Sequence, residues 1–80
     1  MSRKDELDKL RNDYERRIEK LKQARDKQLV SINVREADAK SPALKEAIAR
    51  DRAAAHANFE RLIEEARKSY EKAKSLLEGK

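Results

Sequence analysis

Between residues 3 and 78 the chain is punctuated once, at Ser41-Pro42, and that dipeptide decides what the sequence can fold into. Ser is a favoured N-cap, and Pro is favoured at the first helical position, where its missing N–H leaves no hydrogen bond unmade. Pro also pushes the residue before it out of helical geometry. The dipeptide therefore opens a helix and places a turn at residues 38–41. On either side the chain is rich in Ala, Glu, Lys, Arg and Leu, with one Gly and one Pro in 80 residues, which is the composition of long helices. Ser2, with Asp5 three residues on, suits an N-terminal cap, and Gly79 stands where a C-terminal cap belongs. The expectation is all-α: a first helix over 3–37 and a second over 42–78, forming an antiparallel two-helix hairpin as a single domain, 1–80.

Hydrophobic spacing agrees with the hairpin and sets its register. The first half carries a stripe through Leu7, Leu10, Tyr14, Ile18 and Leu21, then Arg25, then Leu29 and Ile32. The second carries Leu44, Ile48, Asp51, Ala55 and Phe59, then Leu62, Ala66, Tyr70, Ala73 and Leu77. Both follow an eleven-residue rather than a heptad pattern, which keeps a stripe on nearly straight helices. Folding at the turn puts positions whose numbers sum to about 80 opposite each other, so that Leu10 and Tyr14 face the small Ala73 and Ala66. One segment pulls the other way: Val30, Ile32 and Val34 alternate as in a strand. A lone strand has no partner, and these residues cost only about 0.3–0.7 kcal/mol each in a helix, so the segment is read as helical and as the weakest stretch of the first helix.

Of the 30 hydrophobic residues 12 are Ala, so the core of one hairpin is thin, and apolar residues left over after its closure carry information. Val30, Val34 and Ala37 fall on the side of the first helix away from its stripe, and Ala43, Ala47, Ala54 and Ala57 fall off the stripe of the second. This surplus clusters at the turn end and predicts self-association, most simply as a two-fold homodimer forming a four-helix bundle, or docking of a helical protein partner. That layout resembles Rop-type bundles, dimers of antiparallel helical hairpins, with no motif shared. Arg25 and Asp51 occupy stripe positions and suggest a polar layer in which Arg25 and Gln28 meet Asp51, Arg52, His56 or Asn58, across the hairpin or a dimer seam; the plainer alternative is that both reach water.

Chemistry is sparse. The chain has no Cys and a single His, His56, so neither a disulfide framework nor a His/Cys metal site is expected, and no catalytic residue or cofactor is assigned. No Gly-rich phosphate loop and no nucleophile elbow occurs. Enzyme activity is not expected. A net charge of +5 makes nucleic-acid binding the second reading, but acidic and basic residues interleave at helical spacing, as in Asp13 with Arg17 and Glu46 with Arg50, and no aromatic residue interrupts the densest basic stretch, residues 16–27. The apolar stripes lack Trp and are committed to packing, so a membrane surface is not expected as partner, and neither signal peptide nor spanning segment is legible. A cytoplasmic location follows as the expectation. Segments such as Leu62-Ile63-Glu64-Glu65-Ala66-Arg67-Lys68 have the regularity of designed helices, a regularity that Val30 to Val34 and Arg25 lack.

Overall fold

The computed structural model describes residues 2–79 and contains two elements, α1 (Arg3–Asp38) and α2 (Pro42–Glu78), packed antiparallel as a hairpin. Capping explains both starts. The Ser2 hydroxyl accepts the Asp5 N–H at 3.2 Å, and the Ser41 hydroxyl accepts the Leu44 N–H at 3.2 Å, with Pro42 behind it in the first turn. The α1 end is closed by the Ala39 N–H donating to the Glu36 carbonyl at 3.2 Å. Gly79 caps α2 through its N–H to the Ser75 carbonyl at 2.8 Å, with φ −73°, so the cap forms without the left-handed turn for which glycine is usually chosen. The β-branched stretch from Val30 to Val34 is helical throughout, held by strong helix formers before it and by the burial of Ile32 within it.

The hairpin is a rod measuring 60 × 16 × 7 Å, with a radius of gyration of 18.3 Å. A compact chain of this length would have about 12 Å. Burial is correspondingly shallow. Among the described residues only Ile32, Ile48, Ala55, Phe59 and Ala66 are buried, and three of them form a cluster near the turn, where Ile32, Ile48 and Ala55 meet with Leu29 and Ala39 against them. Toward the open end the seam continues with Tyr14 stacked on Tyr70, their rings 4.5 Å apart and 13° from parallel.

Two details of the register differ from the simple fold-at-the-turn expectation. Partners that touch have numbers summing to roughly 84–88, as in Tyr14–Tyr70, Arg35–Asp51 and Glu36–Arg52, rather than about 80. Helical side chains lean toward their own N-terminus; in α1 that direction runs away from the turn and in α2 toward it, so a residue of α1 reaches one further along α2 than its Cα faces. The same lean removes Leu44 from the stripe. It stands in the first turn of α2, at the end of the seam, and is 56% exposed.

The second difference is at Asp51, which does not lie in the stripe. Arg52 takes that place, because its long stem can line the seam while its guanidinium reaches outward, whereas Asp51 would have to bury its carboxylate. With Arg52 in place, shifting α1 along the chain so that Tyr14 falls on Phe59 sets each stripe residue of α1 from Leu7 to Ile32 on an inward residue of α2, while Ile48, Leu62 and Ala73 of α2 have exposed Arg3, Arg17 and Gln28 as counterparts. The same shift places Ile18 on Ile63, Leu10 on Ala55, Leu21 on Ala66, Arg25 on Tyr70 and Ile32 on Leu77, all of them buried or half-buried. The surrounding sequence repeats too: Asp13-Tyr14-Glu15-Arg16 matches Asn58-Phe59-Glu60-Arg61, and Ile18-Glu19 matches Ile63-Glu64. The hairpin is thus built from two helices with similar inward faces, the face of α2 being the wider.

Candidate interaction surface

Polar groups bridge the helices at the turn end, on both sides of the apolar cluster. Arg35 donates from Nη2 to Asp51 Oδ2 at 2.8 Å. Arg52 donates from Nη1 to Glu36 Oε2 at 2.6 Å and from Nη2 to Asn33 Oδ1 at 2.8 Å. Because Arg35 and Glu36 are consecutive, as are Asp51 and Arg52, each pair of neighbours diverges by about 100° on its helix, and the two bridges flank Ile32 and Ile48. The Arg52 bridge is the more sheltered, its side chain 30% exposed against 52% for Arg35.

Within the hairpin these bridges stand where a contact between Arg25 and Asp51 was expected. Arg25 sits inward in α1 as its place in the stripe requires, but its Nε reaches Asp26 on the same helix at 3.4 Å, not Asp51. Asp51 is taken by Arg35, one of the residues that spacing alone did not single out, along with Asn33 and Glu36. The missed signal was reach: Arg35 lies beside the stripe, one turn on from Ile32, and its long side chain crosses to Asp51 on the other helix. Gln28, Asp51 and Asn58 do line a common groove between the helices, floored by Ile32 and Ala55, and Asn58 accepts from Arg61 on its own helix at 2.9 Å. His56 is exposed and lies outside that groove. Elsewhere on α2, Arg67 hydrogen-bonds Glu64 one turn back, which holds the Glu64 carboxyl below the usual range and raises the guanidinium correspondingly.

The expected partner surface is open. Val30 and Val34 are 62% and 58% exposed, and Ala37, Ala43, Ala47, Ala54 and Ala57 are exposed as well. Val30 shares a shallow depression on the outer side of α1 with Lys20, Gln23 and Lys27, so the valines stand at the end of a polar ridge and not in an isolated patch. Among the described residues no group of three or more His, Asp or Glu side chains converges as a metal site would require, and no helix is long and apolar enough to cross a membrane. Comparison with protein-family models, curated proteins and solved structures finds no match.

Proposed function

We propose that the protein is a non-enzymatic helical module that acts by association with further copies of itself, through apolar surface near the turn. The observation that carries this reading is accessible area. The chain exposes 6285 Å², where a compact protein of 9.3 kDa exposes about 5,000 Å². The excess is of the order that one partner contributes to a specific interface, about 800 Å² or more. It includes large apolar side chains that monomeric proteins seldom leave clustered in water, Val30 and Val34 above all. Nothing inside the hairpin needs those valines, since the seam is closed by Leu29 and Ile32 on the opposite side of the same helix turns.

Sedimentation equilibrium of the wild type and of Val30→Glu plus Val34→Glu tests the reading. Association in the wild type and its loss in the variant, with far-UV circular dichroism unchanged, is the expected result; a wild type that stays monomeric throughout would overturn it. A second reading, polyanion binding, draws on the exposed cations Lys9, Arg16, Lys20 and Lys27 along α1. It requires mobility shifts of generic DNA or RNA that weaken steeply with salt.

A further inference from the structure

The outer ridges of the two helices carry opposite charge. At about 100° per residue, the sector of α1 facing away from α2 contains Lys9, Arg16, Lys20 and Lys27 with Val30 and Val34, and no carboxylate between residues 9 and 34. A sector of similar width on the outer side of α2 contains Glu60, Glu64, Glu71 and Glu78 with Ala53 and Ala57, and no Lys or Arg between residues 46 and 78. Every one of these side chains is exposed.

The two ridges also share a spacing. Laid antiparallel, with Lys9 opposite Glu78, the next pairs fall as Arg16 with Glu71, Gln23 with Glu64 and Lys27 with Glu60, followed by Val30 with Ala57 and Val34 with Ala53. Large apolar meets small, and cation meets carboxylate at three pairs without a change of register; the one like-charge pair is Lys20 by Arg67, whose guanidinium is hydrogen-bonded to Glu64 on its own helix. The flanks agree as well: the same alignment sets Glu19 by Lys68 and Asp26 by Arg61. A two-fold pairing cannot use these ridges in full, because α1 on α1 over that length places Arg16 against Lys27, and α2 on α2 places glutamates together. Running α1 and α2 parallel, with the valines still on the alanines, sets Lys27 against Arg50.

We infer that copies of this chain associate head to tail, the outer ridge of α1 in one copy lying antiparallel on the outer ridge of α2 in the next. The inference rests on the self-association proposed above and names its geometry. Since the two ridges lie on the outer sides of different helices, each copy presents one donor and one acceptor surface, and the contact repeats from copy to copy instead of closing on the first pair. Heterologous contacts of this kind build rings or extended arrays, in place of the two-fold dimer expected from composition.

Charge reversal tests it. One variant carries Lys9→Glu, Arg16→Glu and Lys27→Glu; a second carries Glu60→Lys, Glu71→Lys and Glu78→Lys; a third carries all six. Each is checked for helicity by circular dichroism and for mass by sedimentation at low salt. The wild type is expected to grow past dimer as concentration rises and to revert toward monomer at high salt. Either triple variant alone should be monomeric, while their equimolar mixture and the sextuple variant should associate again. A dimer of limiting mass that all three variants retain would overturn the head-to-tail geometry and leave self-association standing; a monomeric wild type would overturn both. Retarded mobility of generic RNA together with a monomeric wild type would instead assign the α1 ridge to a polyanion and overturn the inference. Should a reversed chain fail to fold, zero-length carbodiimide coupling of mixed isotope-labelled wild-type copies decides: a Lys27–Glu60 link between copies supports the geometry, and its absence from associated protein refutes it.

Discussion

Ile32→Ala is a substitution to which this hairpin should be highly sensitive. Ile32 is 2% exposed and packs with Ile48 and Ala55 in the buried cluster near the turn, with Leu29 and Ala39 against it. The change deletes three carbons, worth about 2.4 kcal/mol at about 0.8 kcal/mol each, and the cavity left behind brings the expected cost to about 2–4 kcal/mol. At about 0.05–0.15 kcal/mol per residue, an 80-residue chain has about 4–12 kcal/mol in total, and the large accessible area places this one toward the lower end. Ile32→Ala therefore removes a large share of the stability. Val34, two residues on but 58% exposed, is the internal control, and Val34→Ala should cost the hairpin less than about 0.5 kcal/mol. Urea titration followed by circular dichroism separates the two: with a slope near 1 kcal/mol/M, the midpoint should fall by about 2 M or more for the first and by under about 0.5 M for the second. Repeating the titration at a hundredfold higher protein concentration adds the association, since a midpoint that rises with concentration marks folding coupled to assembly. Equal effects of the two substitutions, or an Ile32→Ala protein within about 0.5 kcal/mol of wild type, would refute the packing described.

Other expectations follow from single contacts. A double-mutant cycle on Tyr14→Leu and Tyr70→Leu should give a coupling of about 0.5–1.5 kcal/mol from the stacked rings, and additive effects would show that the stack contributes only area. Arg52→Ala should destabilise by about 1–2 kcal/mol, since it releases both Glu36 and Asn33 and strips a stem from the seam, whereas Arg35→Ala, at a more exposed bridge, should cost about 0.5 kcal/mol or less in the same urea assay. Ser41→Ala removes the hydroxyl that accepts from Leu44 and should cost about 1 kcal/mol, read as a lowered midpoint with no change in slope. Because Glu64 has its carboxyl lowered by the Arg67 hydrogen bond, its contribution is present above the ordinary Glu range and is lost as pH falls through the lowered value; helicity in acid should decline less steeply in Glu64→Gln, and identical acid limbs would show that the bond adds nothing in solution.

The hairpin was legible because its evidence was local and redundant: one Ser-Pro stop, two caps, and an apolar stripe on each side. What the stripe rule misplaced were two residues at the turn end of α2: Asp51, which yields its place to the longer stem of Arg52, and Leu44, whose displacement follows from side-chain direction. Counting positions locates Cα atoms, but the side chains of antiparallel helices lean in opposite directions along the shared seam, so the touching pairs are displaced from the facing ones. The polar bridges were illegible for a related reason. Spacing finds residues that lie inward, and Arg35 and Asp51 bridge from outside the stripe, a reach set by side-chain length. Arg52 shows the converse, a charged residue in an inward position that no hydrophobicity pattern would select.

The repeated inward face also bears on what the outside is for. If α1 and α2 close on each other through matching stripes, whatever the hairpin needs in order to fold should recur in both helices. Most inward residues do recur, as Tyr14 and Phe59, Ile18 and Ile63, and Ile32 and Leu77 show, with Ile48, Leu62 and Ala73 the exceptions. The exposed apolar residues do not. The alignment that pairs Tyr14 with Phe59 sets Val30 on Ser75 and Val34 on Gly79, and it sets Ala53 and Ala57 on Asp8 and Asn12. The turn end thus carries a pair of neighbouring exposed valines that the corresponding positions at the open end lack, where Leu76, 61% exposed, falls on Ser31 in the alignment. Folding of the hairpin alone gives no reason for that difference, and exposed Val is disfavoured both by helix propensity and by solubility. A requirement outside the single chain accounts for it. On the proposed association, Val30→Ser plus Val34→Gly, which copies the other end, should leave most of the hairpin intact by circular dichroism while lowering the sedimented mass; an unchanged mass would place the cause of the asymmetry elsewhere.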